Sequence, residues 1–174
     1  MLLSEALVGF LYAVDQLKFK SQNSLADSDQ PCLVLVQILI KTLQHRNQNG
    51  SWGPNPSREI TAYAIIALAN LMSLPFLPKA LKYETAAAIE HGRSFLVSSM
   101  GNSKIEKHWV DKTSTSPVNV SKAYIVAAEK ISYPKQSFGS HLMQTLSLPT
   151  KKLEGLVSLY LNFPHLAQYP LWTL

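Results

Sequence analysis

The chain has 174 residues, which is enough for one domain with one sizeable core. Apolar residues make up 47 % of it and charged residues only 16 %, below the roughly 25 % of an ordinary soluble domain. The net charge of +5 comes from Lys and Arg scattered along the chain, and no basic run is interleaved with aromatics. This pattern argues against a nucleic-acid-binding protein.

The single cysteine and the composition of the N-terminus indicate the cellular compartment of the protein. Cys32 is the one cysteine, so an internal disulfide is excluded, and its apolar neighbours predict a buried thiol. The N-terminus lacks the positive region of a secretory signal, and no apolar run approaches the ~18 residues of a membrane span. We therefore expect a cytoplasmic protein without a transmembrane segment.

The first third of the chain predicts two helices. Leu2 to Leu17 carries apolar residues at helical spacing, and residues 21–30 are polar enough for a loop. Asp29 is a plausible N-cap, with Pro31 in the first turn that follows. Nearly every position of 33–43 is apolar, which favours a helix buried on all sides. A buried strand is the rival interpretation, but the uninterrupted run is too long for it.

The rest of the chain alternates between loops and periodic apolar runs. Helices are predicted from Ile60 to a point before Pro75, and over 83–100, 120–131 and 153–160. Residues 47–57 are predicted to form a loop, 102–117 an irregular polar segment, and 132–149 are ambiguous. No segment keeps a period of two and no internal repeat aligns, so we predict an all-α protein with one domain over 1–174.

The segment 44–63 is the most informative part of the sequence. Asn49-Gly50 favours a tight turn with a positive φ, and Trp52 is expected to fold back onto apolar surface. The next helix is predicted to begin near Glu59, whose carboxylate suits a helix N-terminus. The simplest interpretation is structural: residues 44–63 form a helix–turn–helix that is closed by Trp52, and we call this feature the clasp.

This segment also resembles the QW-type motif of triterpene and class II terpene cyclases, Gln-x-x-x-Gly-x-Trp, which here reads Arg46-Asn47-Gln48-Asn49-Gly50-Ser51-Trp52. Two later segments are similar to fungal bifunctional copalyl diphosphate/kaurene synthases. They are His108-Trp109-Val110-Asp111-Lys112-Thr113 with the helix Val120 to Tyr124 after it, and Phe163-Pro164 with Gln168-Tyr169-Pro170-Leu171-Trp172. All three run in the family's order.

The resemblance implies an incomplete α/α barrel, from the C-terminal part of the cyclase domain. It implies a structural motif made of Arg46, Gly50, Trp52, Glu59 and Tyr63. Candidate pocket residues are Trp109, Asp111, Lys112 and Tyr124. Aromatic faces could stabilise carbocations in a terpene pocket. Core packing of the same aromatics is the simpler alternative, and the sequence leaves both open.

The departures from the family pattern concern the clasp and the acids. Arg46 stands at the Gln position and cannot accept hydrogen bonds, so we expect an altered clasp. Class II cyclases protonate their substrate with an Asp-x-Asp-Asp motif. The nearest match here, Asp27-Ser28-Asp29-Gln30, is better interpreted as a loop and cap. The class I motif Asp-Asp-x-x-Asp is absent from the sequence, the family's Mg²⁺ ligands are not found, and no cofactor is expected.

Two functions remain from the sequence. The first is a truncated diterpene or sesquiterpene cyclase-like protein, related to isomerases and lyases of terpenoid biosynthesis, with no catalytic residue and no activity alone. Its partner would be a complementary cyclase domain or an isoprenoid diphosphate. The second is a non-catalytic helical scaffold or interaction module, consistent with the low charge fraction.

Overall fold

A computed structural model describes residues 2–17, 30–100, 108–110, 113–115, 118–132 and 150–163. Helices hold 75 % of these residues, and the predicted all-α class is confirmed. Closure of the helices into an α/α barrel and the single-domain assignment remain predictions.

The described residues form six helices and one short hairpin. The helices are α1 (Leu2–Leu17), α2 (Gln30–Gln44), α3 (Arg58–Leu71), α4 (Lys79–Ser98), α5 (Val118–Lys130) and α6 (Thr150–Asn162). The strands β1 (His108–Val110) and β2 (Thr113–Thr115) pair antiparallel, with Trp109 opposite Ser114.

Helix α2 has no exposed face between residues 32 and 44, although its side chains are a mixture of buried and half-buried ones. Leu35 and Leu39 are completely buried. Cys32 is buried as well, and Pro31 lies in the first turn, where its missing N–H costs no hydrogen bond. Because these residues are helical, the strand interpretation is excluded. Residues 21–29 of the predicted loop, with the Asp29 cap, lie outside the described residues, and Gln30 is the first residue of α2.

Helix α3 lies at the centre of the helical packing. Its N-cap is Ser57, whose hydroxyl accepts a hydrogen bond from the N–H of Ile60 at 3.3 Å. Its buried face alternates small and large residues, including Ala62, Ile65 and Leu68. Because the alanines let neighbouring backbones approach, α3 packs extensively against both α4 and α5, and also contacts α1.

Helix α4 begins earlier than the sequence pattern predicts and crosses α3 at a glycine. It starts at Lys79, after Pro78 as the N-cap residue, so the predicted start near 83 is wrong by four residues. At Gly92 an added Cβ would lie 2.9 Å from Cζ3 of Trp52 and 3.0 Å from Cδ1 of Ile65. The close approach of these side chains to α4 therefore requires glycine.

The segment predicted as irregular, 102–117, contains the β1–β2 hairpin in its described part, which corrects that prediction. Strands of three residues are too short to leave a recognisable alternation of polar and apolar residues. The helix predicted over 120–131 is α5, and that over 153–160 is α6, which contacts α2. Residues 133–149, most of the ambiguous segment, lie outside the described residues.

Gly92→Ala should lower the free energy of unfolding by about 1–2 kcal/mol, because overpacking against Trp52 and Ile65 exceeds the gain in helix propensity. Gly9→Ala in α1 is the matched control, since nothing lies within 4 Å of its added Cβ. It should stabilise by about 0.5–1 kcal/mol. Urea unfolding followed by circular dichroism measures both, and equal effects of the two substitutions would contradict this packing.

Candidate functional site

The turn that follows α2 lies directly on α4. The N–H of Gly50 donates to the carbonyl of Asn47 at 3.0 Å, which closes a four-residue turn. Gly50 has φ = 84° and is buried, and an added Cβ would lie 2.6 Å from the carbonyl oxygen of His91. Glycine is thus required here for two reasons: the backbone is left-handed, and the contact with α4 leaves no space for a side chain. The predicted positive φ is confirmed.

Side chains within the turn hold its shape. Oδ1 of Asn49 accepts from the N–H of Ser51 at 3.1 Å and from its hydroxyl at 2.7 Å. Nδ2 of Asn47 donates to Oγ of Ser51 at 3.0 Å and to the carbonyl of Gly53 at 3.0 Å. These hydrogen bonds satisfy backbone polar groups, such as the N–H of Ser51 and the carbonyl of Gly53, in a segment outside the helices.

Trp52 connects three helices. The residue is 3 % exposed, and its ring packs over Gly92 of α4. The indole Nε1 donates to the carbonyl of Thr42 at 2.6 Å, in the last turn of α2, where carbonyls lack intrahelical partners. The main-chain N–H of Trp52 donates to Oγ1 of Thr61 on α3 at 3.0 Å, and that hydroxyl donates in turn to the carbonyl of Ser57 at 2.6 Å.

Arg46 takes part in the clasp through its main chain. It forms an antiparallel bridge with Trp52, and Trp52 forms a second one with Ser57. Nη2 of Arg46 lies 3.9 Å from Oε1 of Glu84 on α4, while Nη1 is buried and has no hydrogen-bond partner among the residues that the structure describes. The guanidinium therefore adds only a long ion pair to a clasp that depends on backbone bridges and Trp52.

Glu59, Tyr63 and Tyr124 form a cluster between α3 and α5. The Tyr63 hydroxyl donates to Oε1 of Glu59 at 2.5 Å, and Glu59 is only 7 % exposed. The rings of Tyr63 and Tyr124 meet edge to face with centroids 4.9 Å apart. Burial, followed by the hydrogen bond to Glu59, raises the pKa of Tyr63 well above its ordinary value. The cluster thus holds a neutral phenol against a buried carboxyl group.

Two arginines fix the C-terminal end of α5. Nε of Arg93 on α4 donates to the carbonyl of Ala128 at 3.3 Å, and its Nη2 donates to the carbonyl of Ile131. Arg58 at the start of α3 places Nη2 at 3.5 Å from Oε1 of Glu129. Cations at the unpaired carbonyls of a helix end are favourable, so α5 is held at a defined position over α3.

Helix α5 also borders an open apolar groove. Its described lining consists of Asn119, Val120, Ala123, Tyr124 and Ala127, and its volume is about 480 Å³. Of the predicted pocket residues, Tyr124 lies in this groove and Trp109 belongs to β1. Asp111 and Lys112 lie outside the described residues, so their position in a pocket stays a prediction.

The described residues contain neither a metal-ligand cluster nor a membrane-spanning helix. Within the described ranges, no three His, Cys, Asp or Glu residues group as metal ligands. None of the helices in that part of the chain is both long and apolar enough to cross a bilayer.

Several residues that build the site were missed by sequence reasoning. Ser57 carries a recognisable signal, since serine before an apolar periodic run is a common N-cap. Gly92 and Thr61 look like ordinary helix residues, and Arg93 reaches its partner carbonyls 35 and 38 residues further along the chain. Such contacts depend on tertiary packing and leave no local pattern.

The described residues form an all-helical protein organised around a tryptophan-closed helix–turn–helix, and comparisons with known proteins find relatives of it. The chain is 34 % identical over 172 residues to a pimaradiene synthase of Emericella nidulans, covering 99 % of this chain and 17 % of that protein. It is 35 % identical over 97 residues to a copalyl diphosphate synthase of Talaromyces verruculosus, covering 56 % and 10 %. A bifunctional premutilin synthase of Rhodocybe pseudopiperita is 30 % identical over 141 residues, covering 78 % and 14 %.

The chain is therefore a homologue of part of the fungal diterpene cyclases, and the predicted terpene-cyclase resemblance is confirmed. It spans less than a fifth of the length of these curated relatives. No family model matches the chain, and no solved structure matches it.

Thr61→Val should lower the free energy of unfolding by about 1–3 kcal/mol, because it leaves the buried main-chain N–H of Trp52 without its acceptor. Thr85→Val is the matched control. Both threonines are 0 % exposed, and the hydroxyl of each donates to the carbonyl four residues earlier. Only Thr61 also accepts the main-chain N–H of Trp52. Denaturant unfolding should show the smaller loss for Thr85→Val, and the reverse order would contradict the role of Thr61.

Tyr63 should make stability fall in alkaline solution. Its pKa is raised in the folded chain, so the folded state keeps the proton while the unfolded chain loses it near its ordinary pKa of about 10. The stabilisation is thus fully present below about pH 10 and is lost as the pH rises further. In Tyr63→Phe, unfolding free energies should decline less between about pH 9 and pH 11. Equal declines in both proteins would show that Tyr63 titrates normally.

Proposed function

We propose that this chain is a scaffold segment of a diterpene cyclase-like enzyme of terpenoid biosynthesis, and that it catalyses no reaction alone. The observation that carries the proposal is its homology, along nearly its whole length, to a small part of pimaradiene synthase. This homology favours a cyclase segment over an unrelated interaction module.

The chemistry we propose for the complete enzyme is protonation-initiated cyclisation of a linear isoprenoid diphosphate. That step needs a carboxylic acid kept neutral until it protonates the substrate. The sequence contains no Asp-x-Asp-Asp, and the described part of the chain groups no three acids with which to hold a metal. We therefore assign the acid, and any Mg²⁺ site, to a complementary cyclase domain, and no step through a metal to this chain.

The contribution of this chain would be a wall of the pocket. Helix α5 presents Val120, Ala123, Tyr124 and Ala127 along one open apolar groove. An apolar wall excludes water, and an aromatic face such as that of Tyr124 attracts a cation. The arginine contacts at the end of α5 and the Tyr63–Tyr124 contact would keep that wall in place.

Two incubations test the proposal. The purified chain, supplied with geranylgeranyl or farnesyl diphosphate, should give no cyclic product by gas chromatography with mass detection. A chimeric pimaradiene synthase whose matching segment is replaced by this chain should form cyclic product, whereas the same chimera carrying Trp52→Ala should form much less because the clasp is lost.

Opposite results would be equally informative. Any cyclic product from the isolated chain would overturn the view that it needs a complementary domain. A chimera that is soluble and helical but forms no product would overturn the assignment of this chain as a cyclase scaffold.

A further inference from the structure

The turn that carries Trp52 also contains a chemically labile pair, Asn49-Gly50. Asn49 is exposed, and glycine puts no side chain in the way of its own backbone nitrogen. Deamidation begins when the Gly50 nitrogen, having lost its proton, attacks Cγ of Asn49 and forms a C–N bond. Ammonia leaves with the proton, and water then opens the succinimide at either carbonyl to give aspartate or isoaspartate. The balance is one water consumed and one ammonia released, with no oxidant or reductant.

In the folded chain both reacting groups are occupied. The N–H of Gly50, whose proton must be lost, donates to the carbonyl of Asn47 at 3.0 Å. The side-chain carbonyl of Asn49, which must turn toward that nitrogen, accepts two hydrogen bonds from Ser51, at 3.1 and 2.7 Å. Attack therefore requires these three hydrogen bonds to break together.

The isoaspartate product does not fit the closed turn. It inserts an additional methylene into the main chain immediately before Gly50. That glycine is buried, and even a single added Cβ there would lie 2.6 Å from the carbonyl oxygen of His91. A lengthened backbone would displace Gly50 from α4, and with it Trp52 two residues later.

We propose that Asn49 is a spontaneous deamidation site which the native turn keeps closed, so that modification occurs only when the turn opens. Because isoaspartate lengthens the main chain, each event that yields isoaspartate prevents the turn from closing again. The inference is independent of any cyclase activity, since it depends only on the chemistry and packing of the turn.

Peptide mass spectrometry on the full chain tests this directly. Trypsin releases residues 47–58 as one peptide, which contains Asn47, Asn49 and Asn55. Asn55 is the internal control, because Pro56 after it has no N–H with which to form a succinimide. The chain is incubated in mildly alkaline buffer with and without denaturing urea, and the modified position is located by fragmentation.

Modification of Asn49 should be at least about tenfold slower without urea, because only the small fraction of molecules in which the turn is open can react. Thr61→Val, which removes the acceptor of the Trp52 N–H, should react at an intermediate rate in buffer and at the wild-type rate in urea. Asn55 should stay unmodified throughout.

Two results would overturn the inference. Equal rates at Asn49 with and without urea would show that the turn gives no protection. Absence of modification at Asn49 in urea would show that the pair is not a labile site.

Discussion

The indole of Trp52 requires space and a hydrogen-bond acceptor at the same point, and the surrounding elements meet that requirement. Gly92 on α4 leaves the space beside the ring, and the last turn of α2 supplies the carbonyl of Thr42. Thr61 on α3 then binds the main-chain N–H of the same residue. Three helices are thus fixed relative to one another by a residue that lies between them, and Gly50 lets the turn approach α4 closely enough for this.

The same packing extends from the turn to helix α5. Helix α3 is held by the turn at its N-terminus and carries Tyr63, against which Tyr124 of α5 packs. Arg58 and Arg93 fix the far end of α5. Helix α5, which carries the apolar groove, is therefore held by contacts with α3 and α4, and Trp52 contacts both of these helices. Under the function proposed above, this apolar surface would form one wall of the cyclase pocket.

The sequence predicts the helices and the turn well, because both depend on local patterns. The continuous apolar run of α2 predicts a helix with no exposed face, and Asn49-Gly50 predicts a left-handed turn. The predicted start of α4 near 83 is too late, because the apolar pattern does not show that the helix begins directly after Pro78. The β1–β2 hairpin is too short to show a period of two. The partners of Gly92 and Arg93 could not be predicted, because they come from helices that meet only in the folded chain. That Trp109, Asp111, Lys112 and Tyr124 share one pocket stays a prediction.

Native-state hydrogen exchange at the indole N–H of Trp52 tests the central role of this side chain most directly. If Trp52 joins α2, α3 and α4, its indole proton can exchange only when the packing of these helices opens. We predict an exchange free energy equal to that of global unfolding measured on the same sample. Rapid exchange of the indole proton, while the amides of α2 and α3 remain protected, would contradict it.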